Sequence, residues 1–237
     1  MPWVSASQRA GARSLRAMRS WYSRAGTARL CHGDGVDALA AAGFDIAHAF
    51  DADAAARDVR LAMLGGRERL GLLIGNTRAL WPRFQDAMRD PALAAERDPL
   101  DRYAERSIGA AFPGARIYYA HRHYSGAFVP LQHLAVATGL GALAPSRLVI
   151  HPVYGPWFAL RAAVVLDGTP PPATPPIAQP CRCDAACTTV LERAQRSTDW
   201  RDWLAVRDTC SLRNWRYDDA QIAFHYMTVW PRSRQEV

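Results

Sequence analysis

The sequence predicts a domain that mixes helices and strands, followed by a smaller helical segment at the C-terminus. Short apolar runs bounded by glycine or asparagine are typical of buried strands. Aspartate or threonine precedes several segments of helical character, as expected for helix N-caps. Residues 168–180 hold six prolines and no charge, which indicates an extended linker. At 237 residues and 49% hydrophobic content, the chain can build a large core and a smaller appended part.

The first third of the chain alternates helices and strands. Val36–Ala42 is a short predicted helix that ends at Gly43, and Phe44–Phe50 alternates apolar positions as a strand does. Asp51 caps a predicted helix that continues to Gly65 and Gly66. The run Leu70–Gly75 is apolar throughout and predicts a core strand.

The middle of the chain continues the pattern. We expect a helix over residues 78–89 after Thr77, and a second helix that starts at Asp98-Pro99 and ends near Phe112. Arg116–His121 is a predicted strand. A helix that begins at Pro130 ends at one of the glycines at 139 and 141.

These elements give four predicted regions. Residues 1–35 form a basic, poorly ordered arm, consistent with a presequence or a basic extension. Residues 36–167 form the core, residues 168–180 the proline-rich linker, and residues 181–237 a C-terminal cap. The cap contains four tryptophans and short helices, among them Asp199–Val206 and Asp218–Tyr226.

The charge distribution excludes several classes of partner. The net charge is +7, but residues 1–30 hold six arginines and no acid, so the body of the chain is close to neutral. A nucleic-acid-binding surface is therefore not expected. No run has the length and apolarity of a membrane span, and no signal peptide is visible, so we expect a cytoplasmic protein without membrane insertion.

The stretch Arg147–Gly168 reads as strand, aromatic turn and strand. Both side-chain rows of the second strand are apolar, which predicts burial on both faces. Arg161 lies within that strand, and an unpaired buried charge is costly. The stretch supplies no acid before Asp167, so the partner of Arg161 is either a distant acid or an anionic ligand. The whole segment Arg106–Leu166 lacks acids and holds five arginines and four histidines, an asymmetry that favours an anion.

The turn between these two strands is rich in aromatic residues. His151, Tyr154, Gly155 and Trp157 follow one another closely, and glycine permits close backbone approach. Such a turn could present a flat apolar wall to a large planar cofactor, or it could be an ordinary hairpin packed by its own rings.

Three cysteines follow the linker directly. Cys181, Cys183 and Cys187 have the spacing C-x-C-x3-C, and thiolates can bind zinc or an iron–sulfur cluster. The spacing is not the usual C-x-x-C, so thiols that bind no metal are the alternative. An odd total of five cysteines argues against a disulfide framework.

Several blocks of the sequence resemble the MMACHC (CblC) family of cobalamin-processing proteins. The strongest are HPVYGPWFALRAAVVLDG and DWRDWLAVRD, the latter at Asp199–Asp208. Arg216-Tyr217 with Gln221 and Ala223 also matches, as do AAGFDIAHAF, LGLLIGNTRALWPRF and DPLDRYAERSIG upstream. The likeness covers about residues 37–234. A weaker likeness to epoxyqueuosine reductases rests on LAVATGLG and IHPVYGPW.

The resemblance implies an α+β fold, namely a flavin-nitroreductase-like core with a mostly antiparallel sheet flanked by helices, plus a helical cap. It implies an enzyme, a cyanocobalamin reductase and alkylcobalamin dealkylase, that binds cobalamin base-off and uses FMN or FAD and glutathione. Three arginines match those associated with the thiol: Arg161, Arg207 and Arg232. The expected corrin contacts are Val129, Leu131, Gln132, Val149, Ile150, His151, Tyr154, Gly155, Trp157, Leu160, Trp200 and Trp203.

Two other functions stay open on the same residues. One is a cobalamin chaperone that carries the cofactor to a downstream cobalamin-using or delivery protein without chemistry. The other is a corrinoid-dependent reductase of a separate substrate, which the cysteine segment would suit if it held an iron–sulfur cluster.

Overall fold

The computed structural model describes residues 29–175, 177, 181 and 186–228. Its α-helices are α1 Arg29–Ala41, α2 Ala52–Ala56, α3 Leu80–Ala87, α4 Pro91–Ala94, α5 Pro99–Ala111, α6 Leu131–Ala137, α7 Cys187–Gln195, α8 Trp200–Asp208 and α9 Asp219–Ala223. A 3-10 helix covers Val59–Leu64, and a π-helix covers Phe224–Thr228. The strands are β1 Ile46–Asp51, β2 Leu70–Asn76, β3 Arg116–Tyr119, β4 His123–Tyr124, β5 Ala127–Phe128, β6 Ala142–Leu143, β7 Val149–Ile150 and β8 Ala159–Leu166.

The described residues form two compact units, each built from two stretches of the chain. The first contains residues 29–131 and 160–173, and the second contains residues 132–159 with those from 174 onward. The boundary runs through the stretch that the sequence predicts as one core, because residues 132–159 group with the C-terminal part.

The first unit is organised around a four-stranded sheet in the order β1, β2, β8, β3. β1 pairs antiparallel with β2, and β3 pairs antiparallel with β8. Every residue of β2 is buried, as its uninterrupted apolar run predicts. In β8 the last five residues, from Ala162 onward, are buried, which confirms the predicted doubly covered strand. Helices α1 and α3 pack against α5.

The second unit is mainly helical. α7 packs against α8, and Asp199 caps α8 by accepting a hydrogen bond from the Arg201 backbone N–H at 2.9 Å. Asp218 caps α9 in the same way. A two-stranded hairpin, β6 with β7, pairs Ala142 with Ile150. Among the described residues, no helix combines the length and apolar composition needed to cross a membrane.

Two predicted helices differ from the structure in their bounds, and one hairpin was missed. α1 begins at Arg29, inside the expected arm, rather than at Val36. The single helix expected from Asp51 to Gly66 is a short α-helix and a 3-10 helix, because the Asp58 side chain accepts from the Arg60 N–H and starts a new turn. The hairpin of β4 and β5 was not predicted, although residues 125 and 126 form a Ser-Gly turn of positive φ.

Candidate functional site

The predicted site residues divide between the two units. Val129, Leu131, Leu160 and Arg161 belong to the first unit, while the other described candidates belong to the second. Arg232 and Cys183 lie outside the described residues, so the predictions for them stay predictions.

Arg161 occupies the half-buried start of β8, with 13% of its side chain exposed. Its Nε donates a hydrogen bond to Oδ1 of Asn76 at 2.7 Å. Its Nη1 lies 3.8 Å from Oδ1 of Asp101. The sequence left open whether a distant acid or a ligand meets this arginine, and within the first unit both a distant amide and a distant acid do. The separation from Asp101 is longer than a hydrogen bond, so that interaction is Coulombic.

A buried polar chain lies behind Asn76. The Asn76 Nδ2 donates to the Thr77 carbonyl oxygen at 3.0 Å. The Thr77 backbone N–H and hydroxyl donate to the two carboxylate oxygens of Asp45 at 2.7 and 2.6 Å. Burial raises the pKa of the Asp45 carboxyl, and the two bonds from Thr77 offset only part of that rise. Asn76 and Thr77 are both fully buried, so solvent does not compete for these bonds.

An ion-pair network lies on the other side of Arg161. Asp101 is 3.6 Å from Nδ1 of His121, whose Nε2 is 2.9 Å from Oε1 of Glu105. Arg122 donates to the same Glu105 oxygen at 2.7 Å. Burial alone would raise the pKa of Glu105, but its hydrogen bonds with His121, Arg122 and a third arginine outweigh it and hold the pKa below the usual range. The network therefore keeps Glu105 ionised, next to Asp101 on helix α5.

The remaining candidates of the first unit are apolar. Val129 and Leu131 are buried, with 4% and 6% exposure, and Leu160 is half-buried. These side chains are core residues of the first unit with little surface to offer. Elsewhere in this unit a cavity of about 280 Å³ is lined by Glu68, Phe112 and Arg116 among others, and none of the predicted site residues lines it.

The aromatic turn belongs to the second unit. His151 and Gly155 exchange backbone hydrogen bonds at 3.0 and 2.9 Å. Nδ1 of His151 accepts from the backbone N–H groups of Val153 and Tyr154 at 3.0 and 3.3 Å. Since Nδ1 is an acceptor, the ring proton of the neutral imidazole lies on Nε2. Gly155 has φ +59°, and a Cβ there would collide with the carbonyl oxygen of Leu212. The glycine therefore permits a close approach between two parts of the second unit itself.

The rings of the turn point into the second unit. Tyr154 and Trp157 are 2% and 0% exposed. Tyr154 packs edge-on against Trp215 with centroids 4.8 Å apart, and Trp157 packs edge-on against Tyr217 at 5.5 Å. Of the two interpretations left open by the sequence, this packing favours a hairpin held by its own aromatic core over rings that face a ligand directly.

Arg207 holds the end of the same turn. Its Nε donates to the Pro156 carbonyl oxygen at 3.2 Å, and a terminal nitrogen donates to the carbonyls of Pro156 and Phe158. Its guanidinium carbon lies 4.8 Å from the centroid of the Trp157 ring and 5.3 Å from that of Tyr217. Carbonyl oxygens and ring faces thus surround the cation, and no carboxylate of the described residues forms an ion pair with it.

The other candidates of the second unit differ in exposure. Gln132 is exposed, whereas Val149 and Ile150 of β7 are buried. Trp200 is half-buried and stacks on Tyr226, with centroids 5.6 Å apart. Trp203 packs against the buried cluster of Leu191, Ala194 and Val206. Of the described predicted contacts of this unit, Gln132 is therefore the exposed one, and His151, Trp200 and Trp203 are half-buried.

The cysteine cluster is only partly described. Cys187 is buried at the start of α7, and Cys181 is half-buried. Among the described residues no group of three histidine, cysteine or acidic side chains is arranged to hold a metal ion. Because Cys183 is outside the described residues, the predicted three-cysteine site stays a prediction.

Sequence reasoning missed Asn76 and Asp101 as the partners of Arg161. Asn76 is separated from Arg161 by 85 positions, and no local pattern links the two. One available signal was the position of Asn76, a polar residue at the end of a wholly apolar strand. A buried asparagine must satisfy its amide, so it marks a place where another polar group approaches.

Comparison with known proteins identifies relatives of the chain. No protein-family model matches it. It is 30% identical over 158 residues to a Bos taurus protein named cyanocobalamin reductase / alkylcobalamin dealkylase, covering 64% of this chain and 49% of the relative. It is 29% identical over 178 residues to the Mus musculus protein of the same name, covering 64% and 62%. The chain thus spans about half to three-fifths of the length of these curated relatives.

A solved structure has the same fold. It is the C. elegans B12-trafficking protein CblC, described as a homologue of human MMACHC. The TM-score is 0.58 at 15% sequence identity, and the match covers 91% of both chains. The mammalian relatives match in sequence, and the nematode structure matches in fold. These likenesses agree with the resemblance to the MMACHC (CblC) family that the sequence blocks indicate.

Proposed function

We propose that the chain binds cobalamin with its nucleotide base displaced from cobalt and removes the upper axial ligand. The observation that carries this proposal is the match of 64% of the chain to two mammalian proteins named for cyanocobalamin reduction and alkylcobalamin dealkylation. A core related to the flavin nitroreductases forms part of the same proposal.

Two reactions are proposed for the upper ligand. In the first, one electron from reduced FMN or FAD converts cobalt(III) to cobalt(II), and cyanide leaves with both bonding electrons. In the second, the thiolate sulfur of glutathione attacks the alkyl carbon, a thioether forms, and the electron pair of the cobalt–carbon bond stays on cobalt as cobalt(I). The flavin is a diffusible reductant here, and we assign no described residue to hold it. The chain itself supplies positioning and shielding from water.

The surface of the second unit supports a role in corrin binding. The rim of a corrin carries carboxamide groups, and the exposed amide of Gln132 can both donate to and accept from such groups. Leu143 and Val153 are large apolar side chains with 56% and 42% exposure, on the β6–β7 hairpin and the turn after it. A flat apolar ring would remove such side chains from water. In this proposal Tyr154 and Trp157 support the shape of the turn from within.

The remaining predicted contacts have supporting roles in the proposal. Trp200 and Trp203 on α8 shield the upper face from water. In the second unit, apolar contacts and backbone for the corrin come from Val149, Ile150, His151 and Gly155. In the first unit, Val129, Leu131 and Leu160 stay predicted corrin contacts. Cobalamin without its upper ligand passes to a downstream cobalamin-using protein.

Three arginines are proposed to bind the thiol. Arg161 brings a largely buried guanidinium, whose Nη1 lies 3.8 Å from Oδ1 of Asp101. Guanidinium groups pair with carboxylates and favour a nearby thiolate, which suits glutathione. Arg207 and Arg232 stay predicted thiol contacts, and Arg207 has the further role of holding the turn through the Pro156 carbonyl.

Absorbance spectroscopy tests the proposal. Purified protein is titrated with cyanocobalamin under nitrogen, and reduced flavin is then added. We expect a base-off shift on binding and a cobalt(II) spectrum after the flavin. If no base-off shift occurs, cobalamin binding is refuted. Methylcobalamin with glutathione tests the second reaction, for which Arg161→Gln should lower the rate while the fold survives. Arg89→Gln, at an exposed salt bridge with Asp86, is the matched control.

A cobalamin carrier is the second candidate. The matched nematode protein is described as a B12-trafficking protein, and that description favours a transport role. A base-off shift with neither flavin-dependent nor thiol-dependent loss of the upper ligand would support the carrier. Iron–sulfur absorbance of anaerobically purified protein would instead support a corrinoid-dependent reductase of a separate substrate.

A further inference from the structure

Strand β3 lies at one edge of the four-stranded sheet of the first unit. One side of its backbone pairs with β8, and among the described strands none pairs with the other side. The Ala120 N–H, directly after β3, donates to the Arg161 carbonyl oxygen on β8 at 2.8 Å. Backbone groups of alternate residues point the same way in an antiparallel pair, so Ile117 and Tyr119 direct their N–H and C=O groups away from β8. Such outward groups are a template on which another strand can add.

A side chain covers this outer edge of β3. The hydroxyl of Tyr124 accepts a hydrogen bond from the Tyr119 backbone N–H at 2.7 Å and donates one to the Ile117 carbonyl oxygen at 3.3 Å. A hydroxyl can donate and accept at the same time, so this one group binds an N–H and a C=O, as a neighbouring strand would. The Arg122 backbone N–H donates to the Tyr119 carbonyl oxygen at 3.3 Å and occupies a third group of the edge.

The β4–β5 hairpin holds Tyr124 in place. Tyr124 is in register with Ala127, and the two residues between them, Ser125 and Gly126, both have positive φ, as in the tight turns of two-residue hairpins. The Tyr124 ring also packs edge-on against the Tyr118 ring of β3, with centroids 5.1 Å apart. A short, tightly turned element thus delivers the hydroxyl to the edge of the sheet.

We propose that Tyr124 is an edge cap, a side chain that occupies the pairing groups of β3 and keeps a second copy of the chain from pairing there. Every copy carries the same edge, and two such edges related by a two-fold axis present the same groups to each other, as a closed dimer requires. An open edge of this kind is a known route to unwanted association, which native sheets block with local devices. This role of Tyr124 depends neither on cobalamin nor on the thiol.

Tyr124→Phe tests the cap, because it removes the hydroxyl and keeps the ring that packs on Tyr118. At low protein concentration, NMR should show the Tyr119 amide exchanging with solvent about tenfold faster in the variant, since it loses a hydrogen bond. Analytical ultracentrifugation should show a dimer that the wild type lacks and whose fraction grows with protein concentration. Tyr103→Phe is the matched control. Its hydroxyl donates to the Ala42 carbonyl oxygen at 2.9 Å, just after helix α1, so this variant should sediment as the wild type does.

Three outcomes would overturn the proposal. Unchanged exchange of the Tyr119 amide refutes the cap, and faster exchange without the additional dimer refutes its role in self-association. In the dimer of Tyr124→Phe, the Tyr119 amide should become protected again, because it then pairs with the second copy. A dimer in which that amide stays unprotected forms through another surface and contradicts the proposal.

A second variant keeps the test valid if Tyr124→Phe does not fold. Gly126 has φ +85°, and an added Cβ there meets no atom within 4 Å. Gly126→Val therefore strains the backbone at the tip of the hairpin without a clash, because a β-branched residue strongly disfavours positive φ. The strain loosens the support of Tyr124, so exchange of the Tyr119 amide and the dimer fraction should both rise, and if neither rises the edge cap is refuted.

Discussion

Replacing Gly155 by alanine tests whether this glycine is needed for close packing against Leu212 or for the approach of a ligand. The residue has φ +59°, which costs a non-glycine residue about 1–2 kcal/mol. The added Cβ would also collide with the Leu212 carbonyl oxygen and lie 2.8 Å from the Leu212 Cβ. Overpacking of this kind costs about 1–3 kcal/mol. The structure thus predicts that Gly155→Ala lowers the free energy of unfolding of the second unit by about 2–5 kcal/mol in total.

Gly114→Ala is the matched control. Gly114 has φ +80°, and a Cβ there would meet no atom within 4 Å, so this variant reports the backbone cost alone. Urea unfolding is followed by circular dichroism and by tryptophan fluorescence, and the free energy of unfolding of each variant is compared with that of the wild-type protein. If Gly155→Ala is no more destabilising than Gly114→Ala, the steric argument is wrong. Lost cobalamin binding at unchanged stability would instead mean that the glycine is needed for approach of the ligand.

Three further predictions concern charged groups. The folded-state pKa of Asp45 lies above its unfolded value of 3.8, so the carboxyl stabilises the fold less as the pH rises from 3.8 through the folded-state pKa. In urea unfolding, the free energy of unfolding of Asp45→Asn relative to wild type should therefore be higher at pH 7 than at pH 4. The folded-state pKa of Glu105 is lowered, so Glu105→Gln should lower the free energy of unfolding by about 1–3 kcal/mol at pH 7. This loss should shrink as the pH falls below 4.5, the unfolded pKa of the carboxyl, and vanish below its folded-state pKa. Arg207→Met leaves the Pro156 carbonyl without its charged donor and should destabilise the second unit by about 1–3 kcal/mol in fluorescence-detected unfolding. Exposed Arg89→Gln should change none of these stabilities by more than about 0.5 kcal/mol.

Local signals predicted most elements, since local physics determines them. The apolar run of β2 and the aspartate caps of α8 and α9 are readable because burial and capping depend on neighbouring residues. The grouping of residues 132–159 with the C-terminal helices was not readable, because it depends on contacts between distant parts of the chain. The same holds for Gly155, which must be small because Leu212, 57 positions away in sequence, packs directly against it.

The aromatic turn shows a different limit. Its composition fits a wall for a planar ligand as well as it fits a packed hairpin, because both need apolar rings on a tight backbone. Only the direction of the side chains distinguishes a ligand-facing wall from a packed hairpin. That direction depends on ring contacts with Trp215 and Tyr217, which are distant in sequence. Composition could therefore identify the turn as important without telling which face of it a ligand would meet.

In the folded chain, acids from other segments compensate most of the positive charge of the acid-free segment Arg106–Leu166. Four of its five arginines meet acids that precede the segment in sequence, in the pairs Arg106–Asp90, Arg116–Glu68, Arg122–Glu105 and Arg161–Asp101, at 3.1, 3.0, 2.6 and 3.8 Å. The sequence asymmetry therefore does not amount to an uncompensated positive surface. Arg161 differs from the other three because it also donates a hydrogen bond to the amide oxygen of Asn76, which is fully buried. An acid-free run in the sequence therefore fits ion pairs with acids from elsewhere in the chain as well as it fits a site for an anionic ligand.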